Sequence, residues 1–258
     1  MRKSIIKTLE TRLGNVTVTE TTVTKTNGVS LTGVIIDDGS PLKPTIYYKP
    51  DMNDDELVEF IIDAYMHLPK AHITIDNLKD KSWVLAHIIP EVINATRNRD
   101  MLKELVFKPF LDLAKVWRID LGEGTALLTS SLALDLGISL KELDRIHDEY
   151  YTTNLDEFLF GKDISDCPLR LVSTENNRFG ASAITDSDYL RQLSKDLGWE
   201  TFTIIPSSIH ELLIVEPDKL DIETVAEMVR DVNSHAVLES EYLSDTVYMW
   251  DGSKVVIA

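Results

Sequence analysis

The chain reads as an α+β protein: mixed, mostly antiparallel sheets with helices packed against them. Three observations predict it. Short β-rich runs are joined by tight turn signals, as at Asn27-Gly28, Asn176-Asn177 and Asp251-Gly252. Amphipathic helices with clear caps fall between them, and the strand–helix alternation of a doubly wound sheet is absent. With 43% hydrophobic residues among 258, there is ample apolar surface for a core.

The elements follow in order. Residues 16–36 read as a hairpin on Asn27-Gly28, the strongest two-residue turn signal. Val16 and Val18 alternate with threonines, and the phase slips before Val23, which predicts a bulge at Glu20 to Thr22. The return strand closes at Asp37 to Pro41, and Thr45 to Tyr48 is a third strand stopped by Pro50. Asn53 caps a helix from Asp54 to His67, with Leu57, Ile61, Ala64, Tyr65 and Leu68 as its apolar stripe and Pro69 as its end. Ser82 to Ile89 reads as a strand and Asn98 to Val106 as a short helix. Leu111 to Leu121 is a strand feeding a turn at Gly122-Glu123-Gly124, with Thr125 to Thr129 returning. Ser130 to Leu136 is a short helix, and the capping box of Ser139 and Glu142 opens another, with Leu140, Leu143, Ile146 and Tyr150 as its apolar face. Thr152 to Pro168 is polar and reads as a linker or loop. Leu169 to Thr174 and Phe179 to Ile184 read as paired strands, followed by a helix from Asp186 to Leu197. Glu200 to Ile205 and Ile209 to Val215 are strands, Asp221 to Ser234 is an amphipathic helix, and a hairpin on Asp251-Gly252 ends the chain. Two parts are expected, 1–110 and 111–258, or one continuous domain.

Composition limits the function classes. The chain carries 43 acidic against 26 basic residues, a formal charge of −17. Such a surface repels phosphate backbones and argues against direct nucleic-acid binding. No run suits a membrane span. The single cysteine, Cys167, excludes an internal disulfide and a cysteine-based zinc cluster. Met1 to Leu13 starts basic but is interrupted by Lys7, Glu10 and Arg12, which gives no secretory signal and a cytoplasmic expectation.

Each chemical template fails on particular residues. A calcium loop starting at Asp51 would need Gly at its sixth position and an acid at its twelfth, where Glu56 and Ile62 stand. Gly122-Glu123-Gly124 lacks the third glycine of a dinucleotide fingerprint, since Leu127 occupies it. His210-Glu211 begins a zincin pattern, but Ile214 replaces the second histidine. His67, His72, His87, His147, His210 and His235 show no ligand-type spacing, so no metal or cofactor is expected. Trp83, Trp117, Trp199 and Trp250 read as core anchors.

The most suggestive run is Pro206-Ser207-Ser208-Ile209-His210-Glu211. On a strand, Ser208 and His210 share a face, the arrangement of a nucleophile and its base, with Asp245 as a remote acid. No G-x-S-x-G elbow accompanies them. Asp112, inside the apolar run Phe110 to Ala114, needs a partner such as Arg118, Arg170 or Arg178. Asp112, Arg178 and Glu211 are the candidate binding residues.

Four runs carry a resemblance. Phe110-Leu111-Asp112-Leu113-Ala114, Asn177-Arg178-Phe179-Gly180-Ala181, Pro206 to Glu211 with Ile214-Val215, and Leu243-Ser244-Asp245 with Val247-Tyr248 resemble an uncharacterised bacterial domain-of-unknown-function family, known mainly from anaerobic Gram-positive bacteria. The Pro-Ser-Ser-Ile-His-Glu run is its most specific part. The resemblance implies a cytoplasmic bacterial protein and brings no activity or cofactor. The expected function is a non-enzymatic binding protein, an inhibitor or adaptor of a basic protein. The alternatives are a hydrolase using Ser208 and His210, and a DNA mimic that blocks a nucleic-acid-binding or defence protein.

Overall fold

A computed structural model describes the chain except residues 1–2, 41–42, 50, 69–73, 123, 162–166 and 218. The expected stops at Pro41, Pro50 and Pro69, the turn residue Glu123, and His72 lie outside the described residues.

An α-helix the sequence reading did not anticipate opens the chain: α1 (Lys3–Leu13), which buries Ile5 and Leu9. Next come β1 (Thr17–Thr24), β2 (Ser30–Asp37) and β3 (Thr45–Tyr47), a three-stranded antiparallel sheet in the order β1-β2-β3. β1 and β2 pair without interruption from Thr17↔Asp37 to Thr24↔Ser30, so no bulge lies at Glu20 to Thr22. Val18 and Val23 are an odd number of residues apart and simply occupy opposite faces. The helix α2 (Asp54–Met66) starts where expected, with the Asn53 side chain accepting from the Glu56 amide. Its Leu57, Val58 and Ile61 meet Ile5, Leu9, Val34 and Ile36 in the first core.

Asn27-Gly28 does turn the hairpin, within a three-residue loop closed by Lys25 N–H donating to the Val29 carbonyl (2.7 Å). Asn27 and Gly28 both have positive φ (61° and 76°), which explains the residue pair. The longer loop has a structural consequence, because its tip is buried in the rest of the protein. The Asn27 amide donates to Asn98 Oδ1 (2.6 Å), Asn98 Nδ2 donates to Asn27 Oδ1 (2.8 Å), and Asn27 Nδ2 donates to the carbonyls of Glu239 and Tyr242 (2.8 and 2.7 Å).

The second sheet follows α3 (Ile75–Lys79) and α4 (Lys81–Ala86). Ser82 to Ala86 is therefore helical, where a strand was expected. Asp80 lies just before that run and caps it, its Oδ1 accepting from the amides of Ser82 and Trp83. The strand begins only at β4 (Ile88–Asn94). After α5 (Arg99–Leu102), shorter than expected, come β5 (Phe107–Phe110), β6 (Leu113–Asp120) and β7 (Thr125–Leu127). β6 is central, paired with β4, β5 and β7. It is buried on both faces from Leu113 to Trp117, hence its nearly unbroken apolar sequence. The boundary expected between residues 110 and 111 falls at the end of β5, whose pairing with β6 runs across it.

The short helices α6 (Ser130–Asp135) and α7 (Leu140–Leu143) start at Thr129 and at the Ser139–Glu142 capping box, but α7 ends after one turn, so Ile146 lies beyond it and Tyr150 begins a strand. The segment expected as a linker, Thr152 to Pro168, instead holds the end of β8 (Tyr150–Asn154) and all of α8 (Leu155–Phe160). β9 (Leu169–Thr174) is as expected, but the predicted strand after it is a 3-10 turn over Gly180–Thr185. Phe179, at φ 58°, turns the chain into the left-handed region, which no strand tolerates. Then come α9 (Ser187–Leu197), β10 (Phe202–Ile205), β11 (Leu212–Val215), α10 (Ile222–His235), β12 (Tyr248–Trp250) and β13 (Val255–Ile257).

The third sheet has the order β13-β12-β10-β11-β9-β8, antiparallel throughout. Its inner face, with Phe202, Ile204, Ile214 and Trp250, shares the largest core with Val92 and Leu113 of the second sheet. That shared core sets the two sheets beside each other and creates the site between them. Among the described residues, no helix is long and apolar enough to cross a membrane.

Candidate functional site

Pro206 to Glu211 is the connection between β10 and β11, not part of a strand. The strand alternation that would align Ser208 with His210 therefore does not operate. Ser208 is buried, and its Oγ accepts from the backbone amide of His210 (3.0 Å). Its oxygen holds the turn by accepting from the backbone of His210 rather than facing the imidazole. Ser207 Oγ donates to Glu211 Oε1 (3.2 Å) across the same turn. Asp245 lies elsewhere, accepting from Asn233 Nδ2 of α10 (2.8 Å). The carboxylate that faces His210 is Glu241, with Oε1 3.8 Å from Nε2. No local signal announces that contact, since 31 positions separate the two residues in the numbering.

The His210 ring is nonetheless fixed. Its Nδ1 accepts from the Phe179 amide (3.2 Å), which assigns the proton of the neutral ring to Nε2. The ring centroids of Phe179 and His210 are 5.6 Å apart. Ser173 Oγ donates to the His210 carbonyl (2.8 Å). Gly180 is squeezed into this junction: a Cβ there would stand 2.5 Å from Ser173 Cα and 2.6 Å from the His210 carbonyl oxygen. Only glycine fits.

Behind Phe179 lies a buried ion pair. Arg118 Nε donates to Glu91 Oε2 (2.5 Å), Nη2 to Glu91 Oε1 (3.4 Å), and Nη1 to Thr125 Oγ1 (3.0 Å). Glu91 is fully buried on β4. Burial pushes its carboxyl pKa up, against the pull of the Arg118 and His210 charges. The Arg118 guanidinium also lies 5.0 Å from the Phe179 ring centroid, and that of Arg178 lies 5.5 Å from it.

Asp112 takes no arginine partner, contrary to expectation. Arg118 is committed to Glu91, Arg170 donates to the carbonyls of Cys167 and Leu169, and Arg178 lies over Phe179. Three hydroxyls satisfy the carboxylate instead: Ser244 (2.6 Å), Thr246 (3.1 Å) and Tyr248 (2.7 Å). Asp112 sits in the β5–β6 turn and is half-buried, where several O–H donors can replace a cation. Burial, and beyond it Asp112, push the Tyr248 phenol upward against the Ser244 hydroxyl.

An open acidic depression of about 300 Å³ is lined by Asp148, Glu149, Thr174, Glu175 and Asn176. Its rim continues into the His210 site, because Thr174 Oγ1 donates to the Arg178 carbonyl (2.8 Å). Burial pushes the Asp148 carboxyl pKa up, and the charges of Glu149 and Asp120 add to the rise. Among the described residues, no three His, Cys, Asp or Glu side chains converge as a metal-ligating group.

The model of DUF5688, a family of unknown function, matches residues 1–149 and again 139–252. The chain belongs to this family. No curated protein and no solved structure matches it.

In this DUF5688 chain the two matched stretches follow the architecture. The first carries the first two sheets and the second carries the third sheet as far as β12. The four runs that carry the resemblance meet in space at two junctions. Asp112 meets Ser244 and Tyr248 at one, and Phe179-Gly180 meets His210 at the other.

Proposed function

We propose that this DUF5688 protein is a non-enzymatic interaction protein of the cytoplasm that engages a basic protein partner through the depression at Asp148, Glu149 and Glu175. The observation that carries this reading is the lining itself: three carboxylates and two uncharged polar residues, with no cation among them, on a chain of net charge −17. Burial first raises the Asp148 carboxyl, and repulsion from the Glu149 and Asp120 charges adds to the rise. An arginine or lysine side chain entering it relieves that repulsion and forms charge-assisted hydrogen bonds. At about 300 Å³ the depression lies at the lower bound of ligand pockets, a size suited to one long cationic side chain. The commitment of the Ser208 hydroxyl to a backbone amide supports the non-enzymatic reading.

The test is calorimetric titration with a synthetic arginine-rich peptide, at low and at raised salt, on the wild type and on the variant Asp148→Asn/Glu149→Gln/Glu175→Gln. Wild-type affinity should drop by about tenfold or more as the charges are screened, and the variant should bind about tenfold more weakly at low salt. Equal binding by the two proteins, or binding that ignores salt, refutes the proposal. So does turnover in an esterase and peptidase screen that disappears in Ser208→Ala.

A further inference from the structure

The outer face of the third sheet is only partly covered. Val225 and Val229 of α10 pack on Ile205 and Val247 and close one part of it. Beside that contact an apolar slot of about 130 Å³ stays open, floored by Leu169, Ile205 and Leu213 and walled by Val225, Met228 and Val232. Met228 and Val232 stand one helical turn apart and are about half exposed (57% and 49%). Apolar side chains in such a row normally face a partner. The slot is too small for a metabolite of ordinary size but comparable to a cavity that holds one aromatic or aliphatic group.

Carboxylates predominate around the slot: Arg230 of α10 is two positions from both Met228 and Val232 and so faces away from it, and His235 lies 3.5 Å from Asp231. Glu227 and Asp231 are exposed and form a second row, parallel to Met228 and Val232 and one residue behind each. Glu216 and Asp221 bracket the loop into the helix, and Lys219 in that loop is held by Glu216 at 4.0 Å. An apolar slot beside a row of carboxylates complements a helix that presents an aliphatic side chain flanked by lysines or arginines.

The geometry points to this slot as a docking surface for a basic amphipathic helix of a protein partner, whose aliphatic side chain enters between α10 and the sheet. The inference rests on the proposed function in taking the partner to be basic, and it adds a second, apolar point of attachment away from the acidic depression. The probe is a synthetic Leu/Lys amphipathic helical peptide, with a Leu/Glu peptide of the same pattern as its counterpart. Titrations use the wild type, Met228→Gln/Val232→Gln, and the triple depression variant. The Gln changes alter no charge and fall on half-exposed positions, so the fold is retained, as circular dichroism checks.

The Leu/Lys peptide is expected to bind the wild type and to lose about tenfold in affinity on Met228→Gln/Val232→Gln. Amide shifts in the bound protein should centre on Ile205, Leu213 and α10. Undiminished binding by the Gln variant overturns the inference. So does equal affinity for the Leu/Glu peptide, or a wild-type self-association that the Gln changes abolish, which would make a second copy the occupant. Loss of binding in the depression variant alone leaves the proposed function standing and removes this surface. Loss in the Gln variant alone does the reverse.

Discussion

Removing the Arg118 guanidinium should expose how much the buried charge behind Phe179 depends on it. Glu91 has no solvent exposure, and Arg118 touches it through two nitrogens. The substitution Arg118→Met keeps much of the aliphatic stem and deletes the charge, leaving a carboxylate with no cation beside it. Breaking such a pair from one side costs about 3–5 kcal/mol, since the remaining ion must stay unpaired or take up a proton. For a chain of this size, each kcal/mol lowers the melting temperature by about 2–4 °C, so the expected fall is roughly 6–20 °C. The pH dependence carries the diagnosis. Burial already raises the Glu91 carboxyl, and losing Arg118 removes the first force that opposes it. The folded variant then binds a proton that the unfolded chain, with its ordinary carboxyl near 4.5, has released. Across that window the variant loses stability as pH rises, and below it both states are protonated and the penalty fades. Urea unfolding followed by tryptophan fluorescence, at neutral pH and near pH ~4.5, should therefore show a stability gap that narrows on acidification. The double variant Glu91→Gln/Arg118→Met should recover most of the loss. A gap below about 1 kcal/mol at neutral pH, or one independent of pH, refutes the assignment of a buried, mutually dependent pair.

Two further outcomes test the packing around the site. Gly180→Ala should cost about 3 kcal/mol, because its new methyl meets two backbone atoms that cannot rotate away; an unchanged thermal midpoint would contradict the close approach at Ser173 and His210. Lys115 lies on β6 at 3% exposure, with its ammonium pKa lowered by burial against the opposing charges of Asp144 and Asp186. Wild-type stability should rise with pH through the window between that lowered value and the ordinary 10.5, and Lys115→Met should add about 1–2 kcal/mol at neutral pH, with the gain shrinking in alkali; a loss in urea midpoint would refute it.

Charge inside apolar strands was legible only in part. Asp112 stood out within Phe110 to Ala114, and the demand for a partner was sound, yet three hydroxyls from residues 244–248 meet it. The same signal marks Glu91 within Ile88 to Asn94 and Lys115 within Leu113 to Trp117. Both are more deeply buried than Asp112. The expected pairing of Ser208 with His210 depended on a strand period. It has no force in a turn, where the side-chain directions follow Ser208 and the backbone it holds.

The sequence by itself determined the strands and capped helices whose causes are local. Asn53, Asp186 and Asp221 start helices, Asn27-Gly28 turns the first hairpin, and the apolar-rich run from Leu111 to Leu121 declares the strand β6. Tertiary structure alone decided what lies next to what. Asn27 reaches Asn98 and Tyr242, Arg118 reaches Glu91, and Glu241 reaches His210 across stretches of chain that carry no mutual signal. Propensity and capping act over a few residues, whereas these contacts are set by the core that the second and third sheets share and by the first hairpin's tip buried against them, and that depends on the whole chain at once.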